Sequence, residues 1–161
     1  MEQTHILSVW VENKFGVLSK VSGLFASRGY NIQSLAVGET EDPTISRMTI
    51  VVKGDSKTLE QVKKQLHKLI DTIKIVDFVD KPCIDKEICF IKVNSKGKDK
   101  TEMLTLIQTF GYKVIDMGLK ALSIEIADTT KKINDFIKII SPFGILEVAR
   151  SGVVAIAEEE K

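Results

Sequence analysis

The spacing of apolar residues switches between two periods along the first 80 residues of this chain, and this alternation constrains the fold more than any other feature. Runs with a period of two are typical of strands, and apolar residues three and four apart are typical of helices. Leu59, Val62 and Leu66 form one such helical stripe, and Asp55 or Ser56 can cap its start. The predicted elements are a strand at 4–12, a helix at 16–28, strands at 31–39 and 44–53, a helix at 57–71 and a strand at about 73–80.

The same order of elements occurs a second time after Pro82. This proline and the charged run Asp85-Lys86-Glu87 are typical of a linker or a domain boundary. Further on, Gly111 and Gly144 each follow a predicted helix directly, at the position where helices commonly end in glycine. The second set of predicted elements is a strand at 88–93, a helix at 99–110, strands at 112–119 and 121–127, a helix at 129–140 and one or two strands within 146–156.

The order β-α-β-β-α-β predicts an antiparallel four-stranded sheet with both helices on one face, which is the ferredoxin-like arrangement. Two copies in tandem make an α+β protein with two ferredoxin-like βαββαβ domains. The helix-free face and the edge strands of such a small sheet are surfaces that proteins commonly cover by pairing with another copy. We therefore expect a homodimer at least. Packing of the two halves against each other within one chain is the alternative.

Charge and composition argue against several classes of function. Lys and Arg number 23 and Asp and Glu 22, so no strong field attracts nucleic acid or an anionic membrane surface. No apolar run is long enough to span a bilayer, and the N-terminus lacks the features of a signal peptide. Cys83 and Cys89 are too few for a disulfide framework and lack the spacing of a zinc site. We expect reduced thiols and a cytoplasmic protein.

Residues suited to catalysis are scarce. Nucleophilic catalysis needs a nucleophile, a base and an orienting group, and the only imidazoles are His5 and His67. His67 lies among lysines on a predicted helix surface, and His5 precedes the apolar centre of the first strand. No cluster has metal-ligand spacing, phosphate-binding glycine motifs are missing, and residues 44–50 lack the paired aromatic residues of RNA-binding modules. We expect no catalytic residue, no metal site and no nucleic-acid partner.

The turn between the first strand and the first helix is the one segment suited to a small molecule. A helix N-terminus offers free N–H groups and about half a positive charge to a carboxylate, and Gly16 lets a ligand approach the backbone. Asn13 and Asn31 each have a carbonyl oxygen that can accept from an ammonium group and amide hydrogens that can reach a carboxylate. Together these groups match the charged ends of an amino acid.

Aliphatic residues beside this turn can complete a pocket for a small side chain. The candidates for its wall are Val17, Leu18 and Ile32. The residues alone leave an alternative open, in which Asn13 is a helix cap, Gly16 serves only the turn, and the second asparagine simply starts a strand.

Motifs in both halves of the chain resemble the small, regulatory subunit of acetolactate synthase, also called acetohydroxyacid synthase. The resemblance is dense in the first half, follows mainly the pattern of elements over 81–145, and is dense again near the C-terminus. The segments that carry it are Ile6-Leu7-Ser8-Val9, Glu12-Asn13, Gly16-Val17-Leu18-Ser19, Gly23-Leu24-Phe25, Arg28-Gly29-Tyr30-Asn31-Ile32, Ser34-Leu35, Asp42-Pro43-Thr44, Ser46-Arg47-Met48-Thr49-Ile50, Lys64-Gln65-Leu66-His67-Lys68-Leu69-Ile70 and Glu147-Val148-Ala149-Arg150-Ser151-Gly152-Val153-Val154-Ala155.

This resemblance implies an amino-acid-sensing ACT domain at 1–80 and a second ferredoxin-like domain at 84–161. It implies a non-catalytic chain that binds the catalytic large subunit, raises its activity and confers feedback inhibition, usually by valine. Thiamine diphosphate, Mg²⁺ and FAD then belong to the large subunit, which makes acetolactate on the route to the branched-chain amino acids. No cofactor is expected on this chain, and valine is its expected allosteric ligand.

In the family the effector lies between the ACT domains of a homodimer. Carried over to this sequence, its contacts fall on Asn13, Gly16, Val17 and Leu18 of one chain and on Asn31 and Ile32 of the other. Phe15 and Trp10 depart from the family pattern, which favours a small residue or proline and an aliphatic residue there. A bulky Phe15 beside the pocket is expected to alter the choice of effector or weaken its binding.

Two other classes of function remain open at this point. A free-standing amino-acid-binding module would bind valine without activating an enzyme. A structural dimerisation or nucleic-acid module would respond to no branched-chain amino acid, and the near-neutral net charge of +1 speaks against the nucleic-acid version.

Overall fold

A computed structural model describes residues 2–96 and 99–159, and its contacts divide the chain into two compact units. Unit 1 consists of Met1–Asp85 together with Val153–Lys161, and unit 2 consists of Lys86–Gly152. The domain bounds 1–80 and 84–161 stay a prediction. The contacts group the last strand with unit 1, whereas the sequence had suggested that this strand closes the second domain.

Unit 1 has the ferredoxin-like arrangement, as predicted. Its elements are β1 (Glu2–Glu12), α1 (Val17–Ser27), β2 (Ile32–Glu39), β3 (Ile45–Asp55), α2 (Ser56–Lys68) and β4 (Thr72–Asp77). The strand order is β2-β3-β1-β4 with antiparallel neighbours, so β2 and β4 form the edges. Asp55 caps α2 by accepting a hydrogen bond from the backbone N–H of Thr58 at 2.9 Å, which confirms one of the two predicted caps.

The core of unit 1 lies between its sheet and its two helices. Apolar residues alternate along β1 and β3 and recur at helical spacing along α1 and α2, so each element turns one apolar face to the same interior. The fully buried members are Leu7, Val9, Val11, Val17, Val21, Phe25, Met48, Ile50, Val52, Leu59, Val62 and Leu66.

Unit 2 repeats the arrangement and confirms the predicted α+β class. Its elements are β5 (Cys83–Asn94), α3 (Lys100–Thr109), β6 (Lys113–Met117), β7 (Ala121–Asp128), α4 (Thr130–Ile140), a short 3-10 helix (Ser141–Phe143) and β8 (Ile145–Arg150). The strand order is β6-β7-β5-β8, and a further strand, β9 (Val154–Ala157), pairs with β5 outside this order. The longest described helix has 13 residues, and none of the described helices is long and apolar enough to cross a membrane.

The charged run Asp85-Lys86-Glu87 was predicted to be a linker or a domain boundary. The two units divide between Asp85 and Lys86, which agrees with a boundary, but the run is not a linker. All three residues lie in β5, which begins at Cys83. Glu87 is buried and faces Asp128 of β7 in the strand register. Its carboxylate is paired with Arg150, which is 63 residues away in sequence, so a local pattern of charges contains no sign of the burial.

The segment predicted as one or two strands within 146–156 forms two strands, β8 and β9 (Val154–Ala157). They are separated by Ser151, Gly152 and Val153, and Gly152 has a positive φ of 84°. This turn ends unit 2 and returns the chain to unit 1.

Candidate functional site

The turn after β1 is held in place by backbone hydrogen bonds to two other segments of unit 1. The N–H of Glu12 donates to the carbonyl oxygen of Asp71 at 2.8 Å, and the N–H of Asn13 donates to that of Thr44 at 2.7 Å. Lys14 then forms an exposed ion pair with Glu12, whose carboxylate raises the pKa of the lysine. The start of α1 is therefore fixed relative to the β2–β3 loop and to the end of α2.

Helix α1 begins at Val17 without a side-chain cap. Its N-cap residue is Gly16, whose φ of 81° lies in the left-handed region that glycine adopts at little cost. Within residues 2–96 and 99–159, the N–H groups of Gly16 and Leu18 have no hydrogen-bond acceptor. The helix start thus offers free donors and the positive end of the helix dipole, as the sequence predicted.

Asn13 does not cap the helix, which removes the alternative that the sequence left open for it. Its Nδ2 donates to Glu39 Oε1 and to the carbonyl oxygen of Pro43, each at 3.0 Å. Both amide hydrogens are therefore in use, and Oδ1 is left as a free acceptor. Asn13 can accept a hydrogen bond from an ammonium group, but it has no hydrogen left for a carboxylate.

The side chains near the helix start divide between the core and the surface. Val17 is only 3% exposed and belongs to the core of unit 1, so its side chain cannot line a pocket and only its backbone remains available. Leu18 is 44% exposed, and Phe15 is fully exposed beside it. Trp10 lies away from this turn, with the guanidinium of Arg47 4.3 Å from its ring centroid.

Asn31 and Ile32 are positioned by the preceding tyrosine. Tyr30 Oη donates to the carbonyl oxygen of Asp55 at 2.6 Å, and its ring lies over Gly54, where an added Cβ would come within 2.1 Å of the ring. The glycine is therefore required for the close approach of Tyr30. Ile32 packs partly against the core of unit 1, and the side chain of Asn31 is exposed.

The structure does not bring the six predicted effector residues together in one chain. Asn13, Gly16, Val17 and Leu18 lie at the end of β1 where β3 begins, because Glu12 pairs with Ile45. Ile32 instead pairs with Val52, at the opposite end of β3. An open cleft of about 510 Å³ lies beside Asn13 and is lined in part by Glu12 and Thr44, but neither Asn31 nor Ile32 reaches it.

His5 has a role that sequence reasoning missed. It is 2% exposed, its Nδ1 lies 3.1 Å from Asp77 Oδ2, and its Nε2 lies 3.5 Å from Ser56 Oγ. The same Asp77 oxygen accepts from Lys63 Nζ at 2.9 Å. Burial opposes ionisation of Asp77, but hydrogen bonds from Lys63, the N–H of Val79 and His5 outweigh it and lower the pKa of this carboxyl. The cluster joins β1, α2 and β4 in a structural network.

Lys63→Met is expected to lower the free energy of unfolding at neutral pH by about 1.5–3 kcal/mol, which is typical of a hydrogen bond to a charged group. Because the pKa of Asp77 is lowered on folding, the stability it contributes is present above the unfolded pKa and is lost as pH falls through the folded pKa. The difference between variant and wild type should therefore shrink below about pH 4. Thermal unfolding between pH 2.5 and 7 measures it. Lys64→Met, at an exposed lysine next in sequence, is the control, and an equal effect in both variants would contradict the assignment.

Arg150 and Ser151 of the C-terminal motif also have clear structural roles. The Arg150 guanidinium forms two hydrogen bonds with the buried Glu87 carboxylate and a third, at 2.8 Å, with Asn134 Oδ1. The bond to Glu87 raises the pKa of Arg150. Ser151 exchanges hydrogen bonds with the backbone of Ile88, donating from its N–H at 2.9 Å and accepting at its Oγ at 3.0 Å. These contacts fix β8 against β5.

Comparisons with known proteins cover both units. The model of the AHAS small subunit-like ACT domain matches residues 7–74, and the model described as the small subunit of acetolactate synthase matches residues 86–159. The acetolactate synthase small subunit of Mycolicibacterium smegmatis is 45% identical over 96% of this chain and 91% of its own length. The chain belongs to the acetolactate synthase small-subunit family.

Two further members of the small-subunit family are similar to nearly the whole of this chain. The acetolactate synthase small subunit of Aquifex aeolicus is 45% identical over 96% of this chain and 81% of its own length. The crystal structure of the small subunit from Thermotoga maritima has a TM-score of 0.90 at 38% identity and covers 99% of both chains. The resemblance predicted from the motifs is thereby confirmed, including residues 81–145, where it rested mainly on pattern. The ACT-domain assignment of the first half is confirmed as well.

Proposed function

We propose that this chain is the non-catalytic regulatory subunit of acetolactate synthase, that it binds and activates the catalytic large subunit, and that it confers feedback inhibition by valine. Its place of action is the cytoplasm, where its two free thiols, Cys83 and Cys89, stay reduced. The observation that carries the effector part of the proposal is the position of Asn31 and Ile32 relative to the turn after β1.

The two halves of the effector site are far apart within one chain. Ile45, opposite Glu12, and Val52, opposite Ile32, are seven residues apart along β3. At about 3.4 Å per residue in an antiparallel sheet, the halves lie roughly 24 Å apart. Valine is far too small to contact both halves of one chain. A site that uses all six residues therefore needs a second chain.

A second chain can reach the site by pairing with the edge strand β2. Among the described strands β2 pairs only with β3, so its outer edge has free N–H and C=O groups. Antiparallel pairing of two β2 strands around a twofold axis sets the Ile32 end of one copy beside the Glu39 end of the other. Asn13 donates to Glu39 in the same chain, so the second copy's Asn31 and Ile32 arrive beside the helix start. This homodimer completes the site twice.

The assembled site matches each part of a free amino acid. The N–H groups of Gly16 and Leu18 and the helix dipole bind the carboxylate. Asn13 Oδ1 accepts from the ammonium group, and the exposed parts of Leu18 and Ile32 contact the aliphatic side chain. Phe15, fully exposed next to these groups, is placed to modulate the choice of effector.

The energies are compatible with sensing at cellular concentrations. A dissociation constant between roughly 1 μM and 1 mM corresponds to about 4–8 kcal/mol, or about 0.5–1 kcal/mol per heavy atom of valine, which lies below the limit for very small ligands. Valine and leucine differ by one methylene, worth about 1–3 kcal/mol, so discrimination between them is expected to be partial. Inhibition needs a coupling of about 1–3 kcal/mol between effector binding and the less active state of the holoenzyme.

In this proposal thiamine diphosphate, Mg²⁺ and FAD are bound by the large subunit. On this chain the two histidines have other environments. Both ring nitrogens of the buried His5 contact neighbouring side chains, and His67 is exposed on α2. In residues 2–96 and 99–159, no group of three or more His, Cys, Asp and Glu side chains is arranged to hold a metal ion.

Reconstitution with the large subunit of the same organism tests the proposal. Adding this chain to the purified large subunit is expected to raise the rate of acetolactate formation from pyruvate, and valine is expected to reduce the raised rate. Leucine and isoleucine are measured in parallel. Unchanged activity after mixing would rule out the regulatory role. Valine binding without activation would instead indicate a free-standing amino-acid sensor, and neither response would indicate a structural module.

A further inference from the structure

In unit 1, part of the sheet face opposite the helices is buried. Ser8 of β1 and Thr49 and Val51 of β3 are all less than a tenth exposed. Each lies between strand neighbours that belong to the core on the helix side, so these three side chains point to the opposite face. Residues 153–157, which we call the C-terminal strap, pack on this side of the sheet, and β9 contacts β1.

The strap has the alternating burial of a strand with one face on a surface. Val153 and Ala155 are each 4% exposed, whereas Val154 and Ile156 are more than half exposed. Just past the strap, the N–H of Glu158 donates to the carbonyl oxygen of Pro82 at 3.2 Å. The strap is thus an ordered part of unit 1, although unit 2 lies between it and the rest of unit 1 in sequence.

The strap is held in part by strand pairing, because β9 pairs with β5. Arg47 is one of two side chains that anchor the strap to the sheet of β1–β4. Its Nη2 donates to the carbonyl oxygen of Ala155 at 2.6 Å, and its Nε donates to Ser8 Oγ at 2.7 Å. The planar guanidinium also lies 4.3 Å from the ring centroid of Trp10. Three different contacts fix this side chain, and a lysine could not reproduce the fork that reaches two acceptors at once.

Ser34 is the second anchor, and it lies in the edge strand β2. Its Oγ accepts from the N–H of Val153 at 2.8 Å. The register between β2 and β3 shifts between Ile32 and Ser34, which marks a bulge where regular pairing is interrupted. The strap therefore contacts β2 two residues after Ile32, where β3 holds the strand least regularly. A cleft of about 270 Å³ lies between the strap and the rest of β2 and β3.

We propose that the C-terminal strap is part of the effector sensor, and that Arg47 and Ser34 are positioning residues which hold the bulged start of β2, and with it Asn31 and Ile32, in place. The inference that the strap orders β2 is independent of the proposed function, and only its consequence for effector binding rests on it. Neither residue touches the effector. Both act through the strap, so their loss changes how well a binding strand is ordered while the binding groups themselves remain.

The test compares two anchor variants of the full chain with two matched controls. The anchor variants are Arg47→Met, which keeps most of the side-chain length but removes its donors, and Ser34→Ala, which removes the acceptor. The controls are Arg28→Met and Ser27→Ala. They make the same changes in the same unit, at an exposed arginine and at a serine that donates only within α1.

Three measurements report on the Arg47 anchor of the strap, on the order of β2 and on effector binding. Trp10 is the only tryptophan, so quenching of its fluorescence by acrylamide reports on the Arg47 contact. Amide hydrogen exchange over residues 32–39 reports on β2, and calorimetric titration with valine gives the dissociation constant. In both anchor variants we expect exchange over β2 to rise by about tenfold and the valine dissociation constant to rise by a similar factor, with both controls near wild type.

The outcomes separate the strap proposal from the proposed function. Exchange over β2 that stays within about twofold of wild type in both anchor variants would refute the ordering role of the strap. Faster exchange with an unchanged valine dissociation constant would refute its place in the sensor. A wild-type chain that binds no valine would refute the valine assignment instead, and the exchange data would still decide whether the strap orders β2.

Discussion

Gly16→Asp is expected to raise the valine concentration for half-maximal inhibition of the reconstituted holoenzyme by about a thousandfold. The new carboxylate would lie beside the free N–H groups of Gly16 and Leu18, where the carboxylate of valine is proposed to bind. Two like charges about 4 Å apart repel by about 4 kcal/mol at an effective dielectric constant of 20, which corresponds to roughly this factor. The space is available, since no atom lies within 4 Å of an added Cβ.

Gly16→Asn is the matched control for this prediction. Asparagine has nearly the same shape as aspartate and tolerates the left-handed conformation that a φ of 81° imposes, so both variants carry the same backbone cost. Without the charge, the asparagine variant should lose no more than about tenfold in valine sensitivity. Activation of the large subunit is measured in both to show that the chain is folded. Equal valine sensitivity in the two variants would refute the carboxylate position.

Arg150→Met is expected to lower the free energy of unfolding of unit 2 by about 3–5 kcal/mol. The substitution leaves the carboxylate of Glu87 buried without its partner, and breaking one half of a buried ion pair costs about this much. It also removes the hydrogen bond to Asn134, so β8 loses the contacts that the Arg150 side chain makes with β5 and with α4. Urea unfolding followed by far-ultraviolet circular dichroism measures the change, and Trp10 fluorescence follows unit 1 separately.

Strands β5 and β8 also contain an exposed ion pair that serves as a matched control for Glu87 and Arg150. Lys92 and Glu147 also join β5 to β8, at 3.1 Å, but both side chains are largely exposed. Lys92→Met should therefore cost no more than about 1 kcal/mol, as for other exposed ion pairs. A double substitution, Arg150→Met with Glu87→Leu, should recover much of the loss because no charge is left buried. If Arg150→Met cost as little as Lys92→Met, the buried pair would not be what holds β8.

The order of elements was predictable from sequence because it depends on local periodicity. Val62 and Leu66 in α2, or Met48 and Ile50 in β3, lie on the same face of their element whatever the rest of the chain does. The cap at Asp55 is likewise a contact between residues three apart. Element bounds were less accurate. Helix α2 ends at Lys68 and not at 71, because Leu69 already has extended backbone angles, and no apolar pattern encodes that change.

The errors concern residues whose environment is set by distant parts of the chain. From the sequence, Glu87 was predicted to lie in a linker or boundary segment, because the local pattern does not reveal that Arg150 pairs with its carboxylate. Val17 was predicted to form part of the pocket wall, but the packing of α1 on the sheet buries its side chain. At the candidate site, the sequence predicted ligand contacts for both the carbonyl oxygen and the amide hydrogens of Asn13. It could not show which of these were free, since the amide hydrogens are used by Glu39 and Pro43, 26 and 30 residues away.

The C-terminal strap also sets the order in which a newly made chain can complete unit 1. Its anchors join residues 108 and 119 positions apart, Arg47 with Ala155 and Ser34 with Val153. During synthesis the ribosome must translate all of unit 2 before the strap emerges, whereas β1–β4 and their helices can already collapse on local contacts. A product that ends before residue 153 would lack both anchoring contacts of the strap. In the proposed role of the strap, such a chain folds the core of unit 1 but binds the effector poorly, so sensing begins only after unit 2 has been translated.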